Sequence, residues 1–145
     1  MLISSRSRYG LRILLDIALN GDDHPVTSKD IADRRGITVK YLEKLLWQLK
    51  RNGYVTSKRG HNGGHNLARS LADITVGEIV RVMEGEKALA RCVHDPKVCA
   101  ITSDCLARQV WSEASSALFE KLDSMHLDTL VSQARKTELL GLTSC

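Results

Sequence analysis

Three cysteines, Cys92, Cys99 and Cys105, fall within 14 residues of a 145-residue chain. Thiolates are soft ligands suited to zinc or to an iron–sulfur cluster, and free thiols can also act as redox switches. The gaps of six and five residues are wider than the gaps of about 2–4 residues usual in a zinc knuckle. A loop of this length can wrap a bulkier cluster. Zinc, a metal-free thiol switch and three ordinary buried cysteines are the competing readings. Cys145 stands apart at the end of the sequence and reads as a bystander. His94 sits between two of the cysteines as a candidate ligand, a solvated loop histidine being the simpler reading.

A second group of residues suits a polyanion. Between positions 40 and 59 there are six cations and one acid. Residues 1–70 carry 13 Lys/Arg against 6 Asp/Glu, a net of +7, whereas residues 71–145 carry 8 against 11, a net of −3. A basic half joined to an acidic half points to nucleic acid as the partner of the first half. The candidate contacts are Ser28, then Thr38, Lys40, Tyr41, Glu43, Lys44, Gln48 and Arg51, then Lys58, Arg59, His61 and Asn62. Lysine and arginine pin phosphates, Glu43 can accept from cytosine N4, and Arg59 can enter a narrow minor groove. A helical pair with a surface hairpin that binds protein is the competing reading.

Periodicity supplies the elements that would hold these groups. Residues 5–20 read as a helix with apolar residues around nearly its whole circumference, hence largely buried. Thr27 and Asp30 have capping-box-like spacing for a short helix through Arg35, which Gly36 ends. The next helix starts near Thr38, turns Val39, Leu42, Leu45, Leu46 and Leu49 inward, and closes at Asn52-Gly53. Strands over residues 54–59 and 65–68 flank a glycine-rich tip and make a β-hairpin. Helix, tight turn, helix and hairpin form the winged helix–turn–helix layout, whose second helix lies in the major groove. Thr75 and Glu78 form a capping box for a helix over 76–84. Residues 86–104 read as loop, and Asp104 as the cap of a long helix to about Leu122. Two apolar stripes mark that helix, Ala107, Trp111, Ala114, Leu118 and Leu122 beside Leu106, Val110 and Ala117. A small monomer rarely needs both, so the helix is expected to pair with a second copy.

The expected fold class is therefore mainly α with a small β-hairpin wing. The divisions are a DNA-binding domain at 1–84, a cluster-binding loop at 85–104, a dimerisation helix and a short C-terminal helix at 105–134, and a flexible tail at 135–145. No apolar run approaches the ~18 residues of a membrane span, and the N-terminus lacks a signal-peptide stretch, so the cytoplasm is the expected address. No His-Glu motif or nucleophile signature accompanies the cysteines, so no enzyme is expected.

Several segments together resemble the Rrf2 family of bacterial transcription regulators. They are Arg8-Tyr-Gly-Leu-Arg-Ile-Leu-Leu-Asp-Ile-Ala-Leu19, Ile37-Thr-Val-Lys-Tyr-Leu-Glu-Lys-Leu45, Val55-Thr-Ser-Lys-Arg-Gly60 with Gly63-Gly64, Ile74-Thr-Val-Gly-Glu-Ile-Val80 and Cys105-Leu-Ala-Arg-Gln-Val-Trp111. The likeness runs from residue 1 to about 134. It implies a homodimer on a palindromic operator, expected to act as a repressor under the control of an iron–sulfur cluster that senses iron, redox or nitric oxide status. It also implies base-reading roles for Thr38, Lys40, Tyr41 and Glu43, a wing role for Arg59, and a dimer interface on the helix after the third cysteine. A regulator of the same fold without a cluster, controlled by thiol oxidation or a partner protein, is the alternative.

The chain departs from the family at the fourth cluster ligand. One branch has a histidine three residues after the third cysteine, where this chain has Arg108, which cannot ligate. Other branches take an acid from near the partner's N-terminus, where this chain reads Ser7-Arg8-Tyr9. A [4Fe–4S] cube tolerates three cysteines, so it is the expected cofactor. A [2Fe–2S] rhomb is the alternative, with His94, Asp95 or Asp104 as its fourth ligand.

Overall fold

A computed structural model describes residues 3–85, 88–99, 101 and 104–139. Helix α1 spans Ser5–Asn20, α2 Ser28–Arg35 and α3 Val39–Arg51. The strands β1, Val55–Lys58, and β2, Gly64–Leu67, pair antiparallel with Val55 opposite Leu67 and Lys58 opposite Gly64. A 3-10 turn at Leu71–Asp73 leads to α4, Val76–Glu84. Then come a single turn α5, Arg91–His94, a 3-10 turn at Pro96–Val98, the long α6, Leu106–Asp123, and α7, Leu127–Leu139.

The helix starts follow local chemistry. Side chains of Thr27, Thr38 and Thr75 accept from the backbone N–H groups of Asp30, Tyr41 and Glu78, satisfying donors that have no partner within the helix. Glu78 completes the box by accepting from the Thr75 N–H at 3.0 Å. Gly36 ends α2 at φ 63°, a left-handed position that makes the tight turn into α3.

Apolar residues of α1, α2, α3, α4 and α7 close one core, in which Ile13, Leu14, Ile31, Leu42, Leu45, Leu46, Leu49, Ile79 and Leu127 are fully buried. Each of the four α3 leucines contributes roughly 1.5–3 kcal/mol by leaving water. Val39 is the exception to the expected inner stripe and lies exposed at the first turn of α3. The turn between α2 and α3 sets the entry of the helix, so its period faces the core only from Leu42 onward.

Polar locks hold the helices in register. Asp16 of α1 is fully buried. Arg34 Nη2 and Arg35 Nε each reach a carboxylate oxygen of Asp16 at 2.6 Å. A buried carboxylate has to be paired in this way, and the pairing joins α1 to the end of α2. Glu84 at the end of α4 accepts from the Ser4 N–H at 3.0 Å and the Ser7 hydroxyl at 2.6 Å, which ties it to the start of α1. Arg81 of α4 grips Asp123 of α6 through two bonds of 2.6 and 2.7 Å. Gly77 permits that approach, because a Cβ there would lie 1.9 Å from Asp123 Oδ1.

Helix pair and hairpin form a winged helix–turn–helix. The segment read as loop before α6 contains α5 and a 3-10 turn, which a four-residue helix is too short to announce by periodicity. Asp104 does not cap α6; Cys105 occupies the N-cap position without a side-chain cap bond. Helix α7 continues past 134 to Leu139, and Arg135, expected in the tail, reaches Asp22 at 2.8 Å. Cys145 lies outside the described residues. No helix among the described residues is long and apolar enough to cross a membrane.

Candidate nucleic-acid interface and cysteine loop

Burying the α3 leucines leaves Lys40, Glu43, Lys44, Trp47 and Arg51 on the open face of that helix. Thr38 is exposed at its N-cap. The Arg51 guanidinium lies over the Trp47 ring at 5.2 Å. Lys58, Arg59, His61 and Asn62 are exposed on the hairpin and its tip. A cleft of about 420 Å³ runs between the wing and the two helices, lined by Ser28, Glu43, Lys50, Lys58, Arg59 and His61 among others. Cations on both walls suit it to a phosphate backbone.

Two expected contacts are differently placed. Tyr41 is half-buried, its ring edge-on to Tyr9 at 5.9 Å and its hydroxyl donating to Ser5 Oγ at 3.3 Å. It therefore packs α3 against α1 as well as bordering the open face. Gln48 turns its Oε1 into a buried position with no hydrogen-bond partner, so this oxygen is not offered to solvent. Glu43 accepts from the Ser28 hydroxyl, joining the starts of α2 and the middle of α3.

His65 of β2 joins this group, although no sequence pattern singled it out. It is 6% exposed, and its two ring nitrogens lie 2.8 Å from Ser28 Oγ and from Ser57 Oγ. Burial pushes its pKa below the ordinary histidine value; Lys50 acts in the same direction and Glu43 opposes. The alternation of β2 was the one available clue, since His65 falls on its inward face.

The cysteine loop lies at the other end of the molecule's chemistry. Cys92 on α5 and Cys105 at the head of α6 are half-buried, Cys99 is exposed, and all three are free thiols. Arg108 Nε donates to the Cys92 carbonyl at 2.9 Å, and the Leu89 N–H donates to Ser115 Oγ at 3.0 Å. The loop is thus fastened to α6 by polar bonds. His94 borders a cleft of about 500 Å³ with Arg81, Val93 and Phe119. Among the described residues no group of three or more His, Cys, Asp or Glu side chains converges closely enough to hold one metal ion. In kind, the three thiols are the soft donors that an iron–sulfur cluster takes, one short of the four cysteines usual for such clusters.

Leu106, Val110 and Trp111 stand exposed along α6, and Ser115 is its one buried residue. Among the described residues the stripe of Leu106, Val110 and Ala117 is therefore open, while the stripe beside it is exposed at Ala107 and Trp111 and half-buried at Ala114, Leu118 and Leu122.

A profile of the Rrf2 family, described as "Iron-dependent Transcriptional regulator", matches residues 3–133. Protein rrf2 of Nitratidesulfovibrio vulgaris is 45% identical over 134 residues, covering 92% of this chain and 89% of that protein. The solved structure of T. potens IscR superposes with a TM-score of 0.75 at 33% identity, covering 92% of this chain and 88% of the other. That of CymR, the global cysteine regulator of B. subtilis, superposes with a TM-score of 0.77 at 33% identity, covering 92% and 98%. These relatives and this fold belong to DNA-binding transcription regulators and not to enzymes.

Proposed function

Because the chain belongs to the Rrf2 family of transcriptional regulators, we propose that it binds a palindromic operator as a homodimer under the control of an iron–sulfur cluster held by Cys92, Cys99 and Cys105. The observation that carries this reading is the bonding of the cysteine loop to a helix whose apolar side is uncovered, through Arg108–Cys92 and Ser115–Leu89. A change in that loop is transmitted to α6, and through α6 to the spacing of two DNA-reading heads.

Helix α3 enters the major groove. Lys40, Lys44 and Arg51 hold phosphates, Thr38, Tyr41 and Glu43 border the bases, and Lys58, Arg59, His61 and Asn62 follow the flanking backbone or minor groove. Leu106, Val110, Ala117 and Leu118 of α6 pack against the same helix of a second copy. A bound cluster supplies an iron centre reactive toward oxidants and nitric oxide. The donor set favours [4Fe–4S], since Arg108, where one branch of the family has a histidine ligand, is already bonded to the Cys92 carbonyl. A [2Fe–2S] cluster is the alternative, with His94, Asp95 or Asp104 as fourth ligand.

Anaerobic purification followed by visible and Mössbauer spectroscopy and operator-binding assays tests the proposal. Brown protein with a four-iron spectrum, whose DNA affinity changes on exposure to nitric oxide or oxygen, is the expected result. Loss of colour in Cys92→Ser, Cys99→Ser and Cys105→Ser identifies the ligands. Colourless wild-type protein, with DNA binding that responds to a thiol oxidant alone, favours the cluster-free reading. The likeness to CymR and the exposure of Cys99 support that second reading.

A further inference from the structure

A line of four polar side chains crosses from the wing to the groove-facing helix. Ser57 on β1 bonds His65 Nδ1 at 2.8 Å, His65 Nε2 bonds Ser28 Oγ at 2.8 Å, and Ser28 Oγ bonds Glu43 Oε1 on α3. The backbone of His65 is fixed as well, since its N–H donates to the Val26 carbonyl at 2.8 Å and its carbonyl accepts from the Val26 N–H at 3.0 Å.

The direction of each bond follows from what each group can donate. An ionised carboxylate has no proton, so the Ser28 hydroxyl donates to Glu43. Ser28 Oγ then offers only lone pairs to His65, and Nε2 carries the ring proton. Nδ1 is left as an acceptor for the Ser57 hydroxyl. Burial favours the neutral ring, and in that form the bonds leave one tautomer, with the proton on Nε2.

This line ends on the one acid among the six cations between positions 40 and 59. An untethered Glu43 would be free to turn toward Lys40, one turn back on its own helix. Bonded through Oε1, it is held over the cleft below the wing, with Oε2 left to accept from an amino group such as cytosine N4. We propose that His65, acting through Ser28, is a positioning residue for Glu43 and so helps decide which bases this regulator accepts. The inference rests on the reading above that α3 enters the groove with Glu43 toward the bases.

The test uses full-length protein and a duplex selected by it from a randomised pool, with affinities measured for that duplex and each single-base variant. Glu43→Ala and Ser28→Ala are expected to lower discrimination at the same base positions by about fivefold or more, the scale of one lost base-edge contact, as affinity for the selected duplex falls toward that of its variants at those positions. Ser28→Thr keeps the hydroxyl and should keep the discrimination. His65→Gln should behave as Ser28→Ala. In the Glu43→Ala background, Ser28→Ala should add nothing, which a merely structural role for Ser28 would not produce. If Glu43→Ala relaxes discrimination while Ser28→Ala does not, or if Ser28→Ala weakens all duplexes alike, the positioning role is overturned and the groove reading stands. If Glu43→Ala itself leaves discrimination unchanged, the base-reading role of Glu43 fails and this inference with it.

Discussion

Helices α3 and α6 are both long and both carry apolar stripes, yet the chain treats them oppositely. Leu42, Leu45, Leu46 and Leu49 of α3 are fully buried. Along α6, Leu106 is 75%, Val110 58% and Trp111 47% exposed. Polar bonds help hold α6 in place: Arg81 on Asp123, Arg108 on the Cys92 carbonyl, and Ser115 on the Leu89 N–H. An apolar helix face left open in this way is ordinarily completed by another surface. The apolar face of α3 is closed within one chain, whereas that of α6 stays open among the described residues, which is the basis for proposing that a second copy covers it.

Substitutions should separate the DNA-reading half from the cysteine-bearing half sharply. Leu46→Ala is expected to lower stability by about 2–5 kcal/mol in urea unfolding, as a cavity in a closed core does. A cost as small as that of a surface change would remove the contrast. Val110→Asp should leave the fold intact by circular dichroism but weaken operator binding by roughly a hundredfold or more, because two half-sites are no longer engaged together. Unchanged operator affinity in that variant would show that α6 does not join the heads. Lys40→Ala should act more mildly. It should weaken binding to all duplexes about equally and flatten the salt dependence by about one unit of log–log slope, as loss of one phosphate contact does.

The smallest expected effect lies within the reading half, where Glu84 fastens α4 to α1. Burial raises its pKa, but the hydroxyls of Ser4 and Ser7, the Ser4 N–H and Arg6 outweigh this, and the net direction is downward. A carboxylate depressed in the folded state contributes stability that is complete above the ordinary glutamate pKa and is lost as pH falls through its depressed value. Glu84→Gln should therefore lower stability slightly at neutral pH and flatten the acid limb of a stability–pH curve. An identical acid limb in wild type and variant would contradict this.

Much of the reading half was legible because its determinants are local. Thr27, Thr38 and Thr75 cap helices within three residues of their partners, Gly36 makes its turn alone, and the leucine period of α3 declares its inner face. What escaped depends on residues distant in sequence. Nothing near Asp16 announces that Arg34 and Arg35 fold back onto it, and nothing near His65 announces Ser28. Val39 faces outward because the turn before it fixes the helix's rotation. The cysteine region was legible in its chemistry but not its form. A one-turn helix such as α5 is below the reach of periodicity, and Cys105 rather than Asp104 came to stand at the head of α6. The apolar stripes of α6 were visible from the start, and the exposure of the one through Leu106, Val110 and Ala117 is what a single chain adds to that reading.

Sedimentation velocity of the wild-type protein at micromolar concentration tests the contrast between the halves most directly. A single species of twice the chain mass, converted to the chain mass by Val110→Asp, is the expected result. Wild-type protein sedimenting at the mass of one chain would contradict the account.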